Sequence, residues 1–347
     1  MNATDRVKMG PLRVSRLCLG TMLMGDKTPP AEAHRMLDAF VDGGHNLIDT
    51  ADVYGDGAAE SVLRPWLARR RDAVILTTKV RFPVSDPRGE GLSPDRIRAA
   101  CDASLRRMGV ETIDLYQVHA PDPEVPLELT LEALDGLVTA GKVRALGVSN
   151  FPAWMLAWAV RTQDCEGWSP FVALQAQYSL VERSAEVELL PFVRSAGIGM
   201  MPWGPLGGGF LTGRLQRGRQ PAAGSRLLDA PDEVEEALHR RATEANFRAA
   251  DAARAVADES GATVPQIAIS WLLHQRGVTS PVIGPRTTEQ LEDLLPAASL
   301  RLDGDQLDRL GRHTPPPPMY PQRMLAEQNG IDVERPLERR RGPLPTV

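Results

Sequence analysis

Lysine is scarce in this chain of 347 residues, which has only Lys8, Lys27, Lys79 and Lys142, while arginine is plentiful. A buried lysine can lower its pKa, whereas the guanidinium of arginine effectively stays charged. A lysine that directly ends an apolar run is therefore a candidate for chemistry that arginine would not perform. Lys79 stands in such a position, at the end of AVILTTK.

Long apolar runs, paired cysteines and a large charge excess are also missing. No stretch is long enough to span a membrane, and the first residues, MNATDRVKMG, lack the apolar segment of a signal peptide. Cys18, Cys101 and Cys165 have no metal-type spacing and are typical of reduced thiols. The net charge of -5 does not indicate nucleic-acid binding. We expect a cytoplasmic protein without nucleic-acid or membrane partners.

Eight short apolar runs are spread over most of the chain. They are rich in Val, Ile and Leu, and several lack strict alternation, which is typical of parallel strands covered on both faces. The runs cover residues 16–20, 45–49, 73–79, 112–119, 143–150, 171–175, 197–203 and 280–284.

Helical patterns separate these runs. Ser93 and Pro94 have the residue types of an N-cap and a first helical position, and Gly109 is a typical C-terminal stop. Strands and helices that alternate in this way predict a single (β/α)8 (TIM) barrel over residues 1–313. Further helices are predicted at 127–141, from 152, and at 187–196, 233–260, 264–275 and 288–295.

Three segments fall outside the alternating pattern. Residues 6–14 are predicted to form an N-terminal β-hairpin that caps the bottom of the barrel. Residues 314–347, with TPPPP and RRR, are expected to form an irregular or partly disordered C-terminal tail. Residues 208–232 follow the seventh strand and are rich in Gly, Arg and Pro. Loops of that length in a compact domain are more often functional than accidental.

Polar side chains follow three neighbouring predicted strands. Asp49 and Tyr54 come after the second strand, Lys79 ends the third and His119 ends the fourth. Each residue alone has an ordinary explanation as a helix cap, a solvent-reaching lysine or a buried structural histidine. Because barrel enzymes carry their catalytic groups at the carboxyl ends of the strands, the four together predict an active site.

The four residue types suit proton donation. A phenol with a pKa near 10 is a poor acid at neutral pH, and a neighbouring ammonium lowers that pKa. Lys79 would supply the ammonium, Asp49 would hold it by a salt bridge, and His119 would hydrogen-bond a substrate oxygen or the phenol. Such a donor matches a developing alkoxide, so the set favours carbonyl reduction with a nicotinamide as the hydride source.

The sequence resembles the aldo-keto reductase family along most of its length, roughly residues 6–300. The similar motifs occur in order: LGTMLMG (19–25), NLIDTADVYG (46–55), LTTKV (76–80), DLYQVH (114–119), GKVRALGVSNF (141–151), LQAQYSLVER (174–183), PWGPLGGGFLTGR (202–214) and VIGPRTTEQL (282–291). The resemblance implies a (β/α)8 barrel that binds NADPH/NADP+ without a Rossmann domain. This agrees with the missing G-x-G-x-x-G fingerprint after the first strand.

The resemblance also implies residue roles. Tyr54 would be the proton donor, Lys79 and Asp49 would tune it, and His119 would orient the substrate. Trp203 would stack on the nicotinamide, and Arg286 would pair with a 2'-phosphate, which favours NADPH. The full set of implied cofactor-binding residues is Thr21, Asp49, Ser149, Asn150, Gln175, Trp203, Gly204, Pro205, Leu206, Gly208, Leu211, Arg214, Gly284, Arg286 and Gln290.

The sequence departs from the family pattern at two positions, and the resemblance says less about the residues that contact the substrate. The family often has a Glu-Asn pair after the glutamine at 290, and Asp293 and Leu294 stand there instead. Tyr320 and Met324 would complete the site if the tail folds back. The expected substrate-contacting residues, for a small-molecule carbonyl compound, are Met22, Met24, Val53, Phe82 and Ala120, with Met22 and Met24 equally suited to plain packing.

Several functional alternatives remain open at this point. Broad aldehyde and ketone reduction competes with reduction of nucleotide-linked keto-deoxysugars, which the stretch at 91–110 also resembles. A cofactor-sensing subunit, similar to potassium-channel β subunits, would keep the same four residues without needing turnover. A metal-dependent hydrolase would require histidine and carboxylate clusters at strand ends, and only His119 among the six histidines ends a strand. The sequence also leaves open a homo-oligomer.

Overall fold

The computed structural model describes residues 5–85, 89–218, 227, 237–316 and 319–329. Within these residues the chain forms an eight-stranded parallel sheet with helices between its strands and a separate two-stranded antiparallel sheet. The predicted (β/α)8 barrel with an N-terminal hairpin is therefore confirmed.

The hairpin consists of β1 (Val7–Met9) and β2 (Leu12–Val14), which pair antiparallel. Gly10 begins its tight turn with φ at 56°, and a Cβ added there would lie 2.3 Å from Cγ1 of Val172. Only glycine fits this close approach to the barrel. The apolar residues of the hairpin pack in one cluster with the lower ends of the strands, namely Cys18, Leu47, Leu115, Ala145, Val172, Ala173 and Met201.

The barrel strands follow one another in sheet order except for the last, which pairs with the first. They are β3 (Cys18–Gly20), β4 (Leu47–Asp49), β5 (Ile75–Val80), β6 (Ile113–Val118), β7 (Val143–Ser149), β8 (Phe171–Gln177), β9 (Gly199–Trp203) and β10 (Val282–Ile283).

Backbone hydrogen bonds close the ring between β9 and the segment that precedes β10. Met200 N donates to Gly277 O at 3.3 Å, and Thr279 N donates to Met200 O at 2.8 Å. Six of the eight strands lie within their predicted runs, whereas β5 continues one residue further, to Val80, and β8 two residues further, to Gln177. Their continuous burial reflects helices packed on the outer face and side chains filling the inner one.

The helices pack their apolar faces on the outer surface of this sheet and form the main hydrophobic core. Up to β9 they are α1 (Pro30–Asp42), α2 (Ala58–Arg70), α3 (Pro94–Met108), α4 (Leu127–Thr139), α5 (Ala153–Glu166) and α6 (Leu189–Ala196); later helices are Leu238–Arg241, Glu244–Ser260, Val264–His274, Thr288–Leu294, Gly304–Gly311 and Gln322–Asn329.

Two expectations about the helices need refinement. In place of one long helix, the described residues 237–260 contain two helices, because the Thr243 side chain accepts a hydrogen bond from Asn246 N and starts a new helix there. The tail expected to be irregular includes the helix Gln322–Asn329, whose residues RMLAEQ have high helix propensity. Residues 219–226, 228–236 and 330–347 lie outside the described part of the chain.

Candidate active site

The carboxyl ends of β4 and β5 place Asp49 and Lys79 inside the mouth of the barrel. Lys79 Nζ donates to Asp49 Oδ2 at 2.6 Å and to the Thr50 carbonyl at 2.9 Å. Both side chains are buried, Asp49 being 2% exposed and Lys79 0%. A charged pair with so little solvent is held in one arrangement by its partners.

Tyr54 is brought to this pair by the loop between β4 and α2. Lys79 Nζ donates a third hydrogen bond to Tyr54 Oη at 3.3 Å and lies 5.0 Å from the centroid of the phenol ring. The loop turns sharply, with Tyr54 N donating to Ala51 O and Ala59 N to Tyr54 O. The ammonium therefore bridges the carboxylate and the phenol.

Lys79 stays positively charged in this setting. Burial alone would lower the pKa of its ammonium, but the charge of Asp49, followed by Tyr54, and the hydrogen bonds to both act in the opposite direction. The net effect raises the pKa of Lys79 above its usual range. The scarcity of lysine in the sequence thus pointed to a residue with an unusual environment, although burial has not lowered its pKa.

His119 follows β6, the strand next to the one that carries Lys79, and packs against aromatic rings. Its ring is edge-on to Tyr54, with centroids 5.8 Å apart, and to Phe82 at 4.8 Å. Burial, and then the positive charge of Lys79, lower the pKa of His119 to about 3. The imidazole is therefore neutral near pH 7, and its buried Nδ1 has no hydrogen-bond partner among the described residues.

Two glutamine amides complete the surroundings of Asp49. Gln175 Nε2 donates to Asp49 Oδ1 at 3.0 Å, and Gln117 Nε2 donates to the same atom at 3.3 Å and to Thr77 Oγ1 at 2.7 Å. The sequence interpretation did not include Gln117. Its position two residues before His119 on β6 was the available signal, because alternate strand residues face the same side.

Ser149, Asn150 and Trp203 form a hydrogen-bonded group at the ends of β7 and β9. Asn150 Nδ2 donates to Ser149 Oγ at 3.0 Å and to His119 O at 2.9 Å, while Trp203 Nε1 donates to Asn150 Oδ1 at 3.0 Å. Asn150 adopts a left-handed backbone with φ at 59°. A non-glycine residue in that conformation often marks a functional turn.

A glycine-rich loop leaves the barrel directly after Trp203. Gly204 and Gly208 have φ values of 65° and 68°, so the chain takes turns that side chains disfavour. The other predicted residues of this loop differ in exposure. Pro205 and Leu211 are buried, Leu206 is half-buried and Arg214 is exposed.

The remaining predicted cofactor residues surround the ends of β3 and β10. Thr21 is buried, its N donates to Asp49 O at 2.9 Å, and its Oγ1 has no partner among the described residues. Gly284 is exposed, and a Cβ added there would meet nothing within 4 Å. Arg286 is half-buried, and its backbone N donates to Gln290 Oε1 at 2.9 Å. The Gln290 side chain thus folds over the start of its own helix.

Comparisons with known proteins identify the family of this chain. The model of the Aldo/keto reductase family matches residues 16–314. The chain belongs to the aldo/keto reductase family. It is 38% identical over 318 residues to the oxidoreductase YrpG of Bacillus subtilis, which covers 88% of this chain and 94% of YrpG.

Two further relatives of this aldo/keto reductase widen the picture. Norsolorinic acid reductase stcV of Emericella nidulans is 32% identical over 313 residues, covering 85% of this chain and 77% of its own. Protein tas of Escherichia coli is 32% identical over 334 residues, covering 87% and 94%. The family membership makes the chain an oxidoreductase.

This aldo/keto reductase departs from the usual family pattern after Gln290. Gln266 Nε2 donates to the Asp293 carbonyl at 2.7 Å and, at 3.4 Å, to its Oδ1, while Thr263 Oγ1 donates to Oδ2 at 3.4 Å. Leu294 is buried in the core. Both side chains therefore serve helix packing, and the amide that relatives often carry here has no counterpart at these two positions.

The predicted substrate residues are not all at the mouth. Phe82 is 37% exposed and touches His119, and Met22, Val53 and Ala120 are half-buried in loops at the same end. Met24 is 2% exposed and lies in the hydrophobic core, as the packing interpretation anticipated. In the tail, Tyr320 is 76% exposed.

Two kinds of feature are absent from the described residues. No helix in that part of the chain is long and apolar enough to cross a membrane. No group of three or more histidine, cysteine or carboxylate side chains there has a geometry that could hold a metal ion.

Proposed function

We propose that this aldo/keto reductase reduces aldehydes or ketones to alcohols with NADPH, and that Tyr54 Oη donates the proton. The observation that carries the proposal is the buried ammonium of Lys79, which contacts both Asp49 Oδ2 at 2.6 Å and Tyr54 Oη at 3.3 Å. A positive charge at this place stabilises the negative charge that remains on Oη when its proton leaves.

His119 has a different part in this proposal. Because its imidazole is neutral near pH 7, it offers one N–H donor without adding a second positive charge to the site. That donor orients a carbonyl oxygen towards the phenol of Tyr54. The rings of Phe82 and Tyr54 pack against the imidazole and hold its plane in place.

The donor set at the mouth fits a nicotinamide. Nε2 of Gln175 is bound to Asp49, so Oε1 is the atom that this amide can offer to a carboxamide N–H. Ser149 Oγ supplies a hydroxyl beside it, and Asn150 fixes Trp203 through its indole N–H. When bound, the nicotinamide supplies the hydride.

The outer part of the cofactor would lie along the glycine-rich loop and the end of β10. Open space above Gly284 leaves room for a phosphate group close to the backbone. Arg286 would add a guanidinium for a 2'-phosphate, which supports NADPH over NADH. The altered residues at 293 and 294 remove one expected contact to the adenine, so we expect the 2'-phosphate to carry more of the affinity.

The proposed substrates are a broad range of small aldehydes and ketones, including aromatic ones. Phe82 presents an exposed aromatic face beside His119, and such faces favour flat apolar substrates. Ala120 leaves space next to the imidazole. Reduction is also the reaction in the name of the relative stcV. A cytoplasmic location is part of the proposal, because Cys18, Cys101 and Cys165 are unpaired.

The test is NADPH oxidation by the purified protein with 4-nitrobenzaldehyde and a set of diketones, for the wild type and Tyr54→Phe. We expect turnover by the wild type and a loss of about 10²- to 10⁴-fold in kcat for the variant. Fluorescence titration with NADPH should show equal binding in both proteins. Binding without turnover would instead favour a cofactor sensor or a narrow substrate such as a nucleotide-linked keto-deoxysugar.

A further inference from the structure

A second set of polar residues, all buried except the half-buried Arg107, lies behind the proposed catalytic group, on the outer face of β5. We call it the rear cluster, and it consists of Asp52, Glu60, Thr78, Arg96 and Arg107. Arg96 Nη2 donates to Asp52 Oδ2 at 3.2 Å. Glu60 accepts from Thr78 Oγ1 and from Arg107 Nε, both at 2.6 Å. The two arginines belong to α3, and Glu60 belongs to the first turn of α2.

The rear cluster touches the same backbone segments that carry the catalytic side chains. Thr78 points outward to Glu60, whereas the next residue on β5, Lys79, points inward to Asp49. Asp52 N donates to the Lys79 carbonyl at 3.2 Å while its side chain binds Arg96. The strand thus has the catalytic lysine on one face and the rear cluster on the other.

The loop that carries Tyr54 is fastened on both sides of the phenol. Asp52 precedes Tyr54 by two residues and is tied to α3, and Glu60 follows it by six and is tied to β5 and α3. Between them, Gly57 packs so tightly on α3 that an added Cβ would lie 2.7 Å from Cδ of Arg107. The segment that carries Tyr54 is thus held at both ends and in its middle.

A stabilising role alone is a poor explanation for the Asp52–Arg96 pair. Asp52 is 1% exposed, yet its Oδ1 has no hydrogen-bond partner among the described residues, and neither has Arg96 Nε. Buried ion pairs with unsatisfied atoms often stabilise a fold no better than apolar residues of similar size. Unlike a pair of apolar residues, the Asp52–Arg96 pair supplies a directional contact.

We propose that the Asp52–Arg96 ion pair is a positioning device for Tyr54, setting the distance from its phenol to Lys79 and to the substrate oxygen. Neither residue contacts the reacting groups, so both act through the loop. This inference rests on the function proposed above for Tyr54.

The test compares Asp52→Asn with the wild type and with Asp114→Asn. Asp114 is a matched control because it is also a fully buried carboxylate, held by Arg71 and Arg144, each at 2.8 Å. Asp114 lies on β6, and its Oδ2 also accepts a hydrogen bond from Leu76 N. Leu76 lies near the start of β5, well before the end that carries Lys79. Both variants replace a buried carboxyl group by an amide, whereas contact with the Tyr54 loop belongs to Asp52 alone.

For Asp52→Asn we expect kcat, per NADPH-binding site, to fall about ten- to a hundredfold, because small displacements of a reacting group cost that much. The solvent deuterium isotope effect on kcat should rise as proton transfer becomes slower. NADPH affinity should stay within about twofold, since the glutamine, serine and tryptophan at the mouth are unchanged. Asp114→Asn should lower the melting temperature without changing kcat per site or the isotope effect.

A variant that replaces both partners, Asp52→Asn with Arg96→Leu, covers the case in which the single variant does not fold, because exchanging both members of a buried pair is often tolerated. It should show the same kinetic loss. Wild-type kcat and isotope effect in either Asp52 variant would overturn the inference, as would equal changes in Asp114→Asn. If Tyr54→Phe keeps full activity, the proposed function fails first, and that result is separate from either outcome.

Discussion

Replacing Lys79 by methionine should damage stability and activity for different reasons. The methionine fills similar space but leaves Asp49 in a site where it is 2% exposed. Oδ1 keeps the amide hydrogen bonds of Gln117 and Gln175, whereas Oδ2 loses its 2.6 Å ammonium contact. Removing one member of a buried ion pair costs about 3–5 kcal/mol. At about 2 °C per kcal/mol for a protein of this size, the melting temperature should fall by about 6–10 °C.

A second substitution separates the two effects. Asp49→Asn combined with Lys79→Met removes the uncompensated charge, so most of the lost stability should return. Activity should not return, because no ammonium remains beside Tyr54. As a control, Arg98→Met breaks the Arg98–Asp95 pair, whose side chains are 57% and 99% exposed, and should change stability by less than about 1 kcal/mol.

Thermal unfolding followed by circular dichroism, together with NADPH oxidation, measures all three variants. The reasoning is refuted if Lys79→Met has the same melting temperature as the wild type, since the buried Asp49 carboxylate would then not need Lys79 for its stability. It is also refuted if the double variant regains carbonyl reduction, because Lys79 would then be a structural residue only.

Two further predictions concern single residues. The pKa of His119 is about 3 in the folded chain, against 6.5 for an ordinary histidine. Between pH 6.5 and about 3 the unfolded chain therefore binds a proton on His119 that the folded chain does not bind. The free energy of unfolding consequently decreases as the pH falls below about 6.5. His119→Gln should lack this loss, and urea titrations at about pH 7 and about pH 5 would detect the difference; parallel losses in both proteins would contradict the pKa. Arg286→Gln should raise KM for NADPH about ten- to a hundredfold, as expected for a lost charged hydrogen bond, and leave KM for NADH nearly unchanged. Equal changes for the two cofactors would exclude a contact with the 2'-phosphate.

The fold was predictable because each barrel strand is a short apolar run between helix signals. β5 and β6 were easy to identify from the sequence, because strands buried on both faces have continuous apolar runs. Helix α2 was not predicted from the sequence, and Pro65 inside it weakens the helical pattern. The helix Gln322–Asn329 was missed because prolines nearby suggested irregular structure.

The proposed catalytic group was predictable for a related reason, whereas the residues that support it were not. Asp49, Lys79 and His119 mark strand ends, and the carboxyl ends of parallel strands meet at one edge. Gln117 looked like an ordinary polar residue, since nothing local shows that it donates to Asp49. Met24 faces the core although its loop lies at the mouth, because the direction of a loop side chain depends on the turn.

The hydrogen bonds to Asp49 have a consequence for how this enzyme becomes active. Its three side-chain partners, Lys79, Gln117 and Gln175, are separated from it by 30, 68 and 126 positions in the chain. Each of these contacts closes a long loop, and ordering a long loop costs conformational entropy before the contact is gained. A nascent or truncated chain that stops before β8 therefore carries Tyr54, Lys79 and His119 in its sequence but lacks Gln175, one of the partners of Asp49. Activity therefore requires the closed ring of strands, and an activity assay measures assembly of the barrel more directly than a measurement of helix content does.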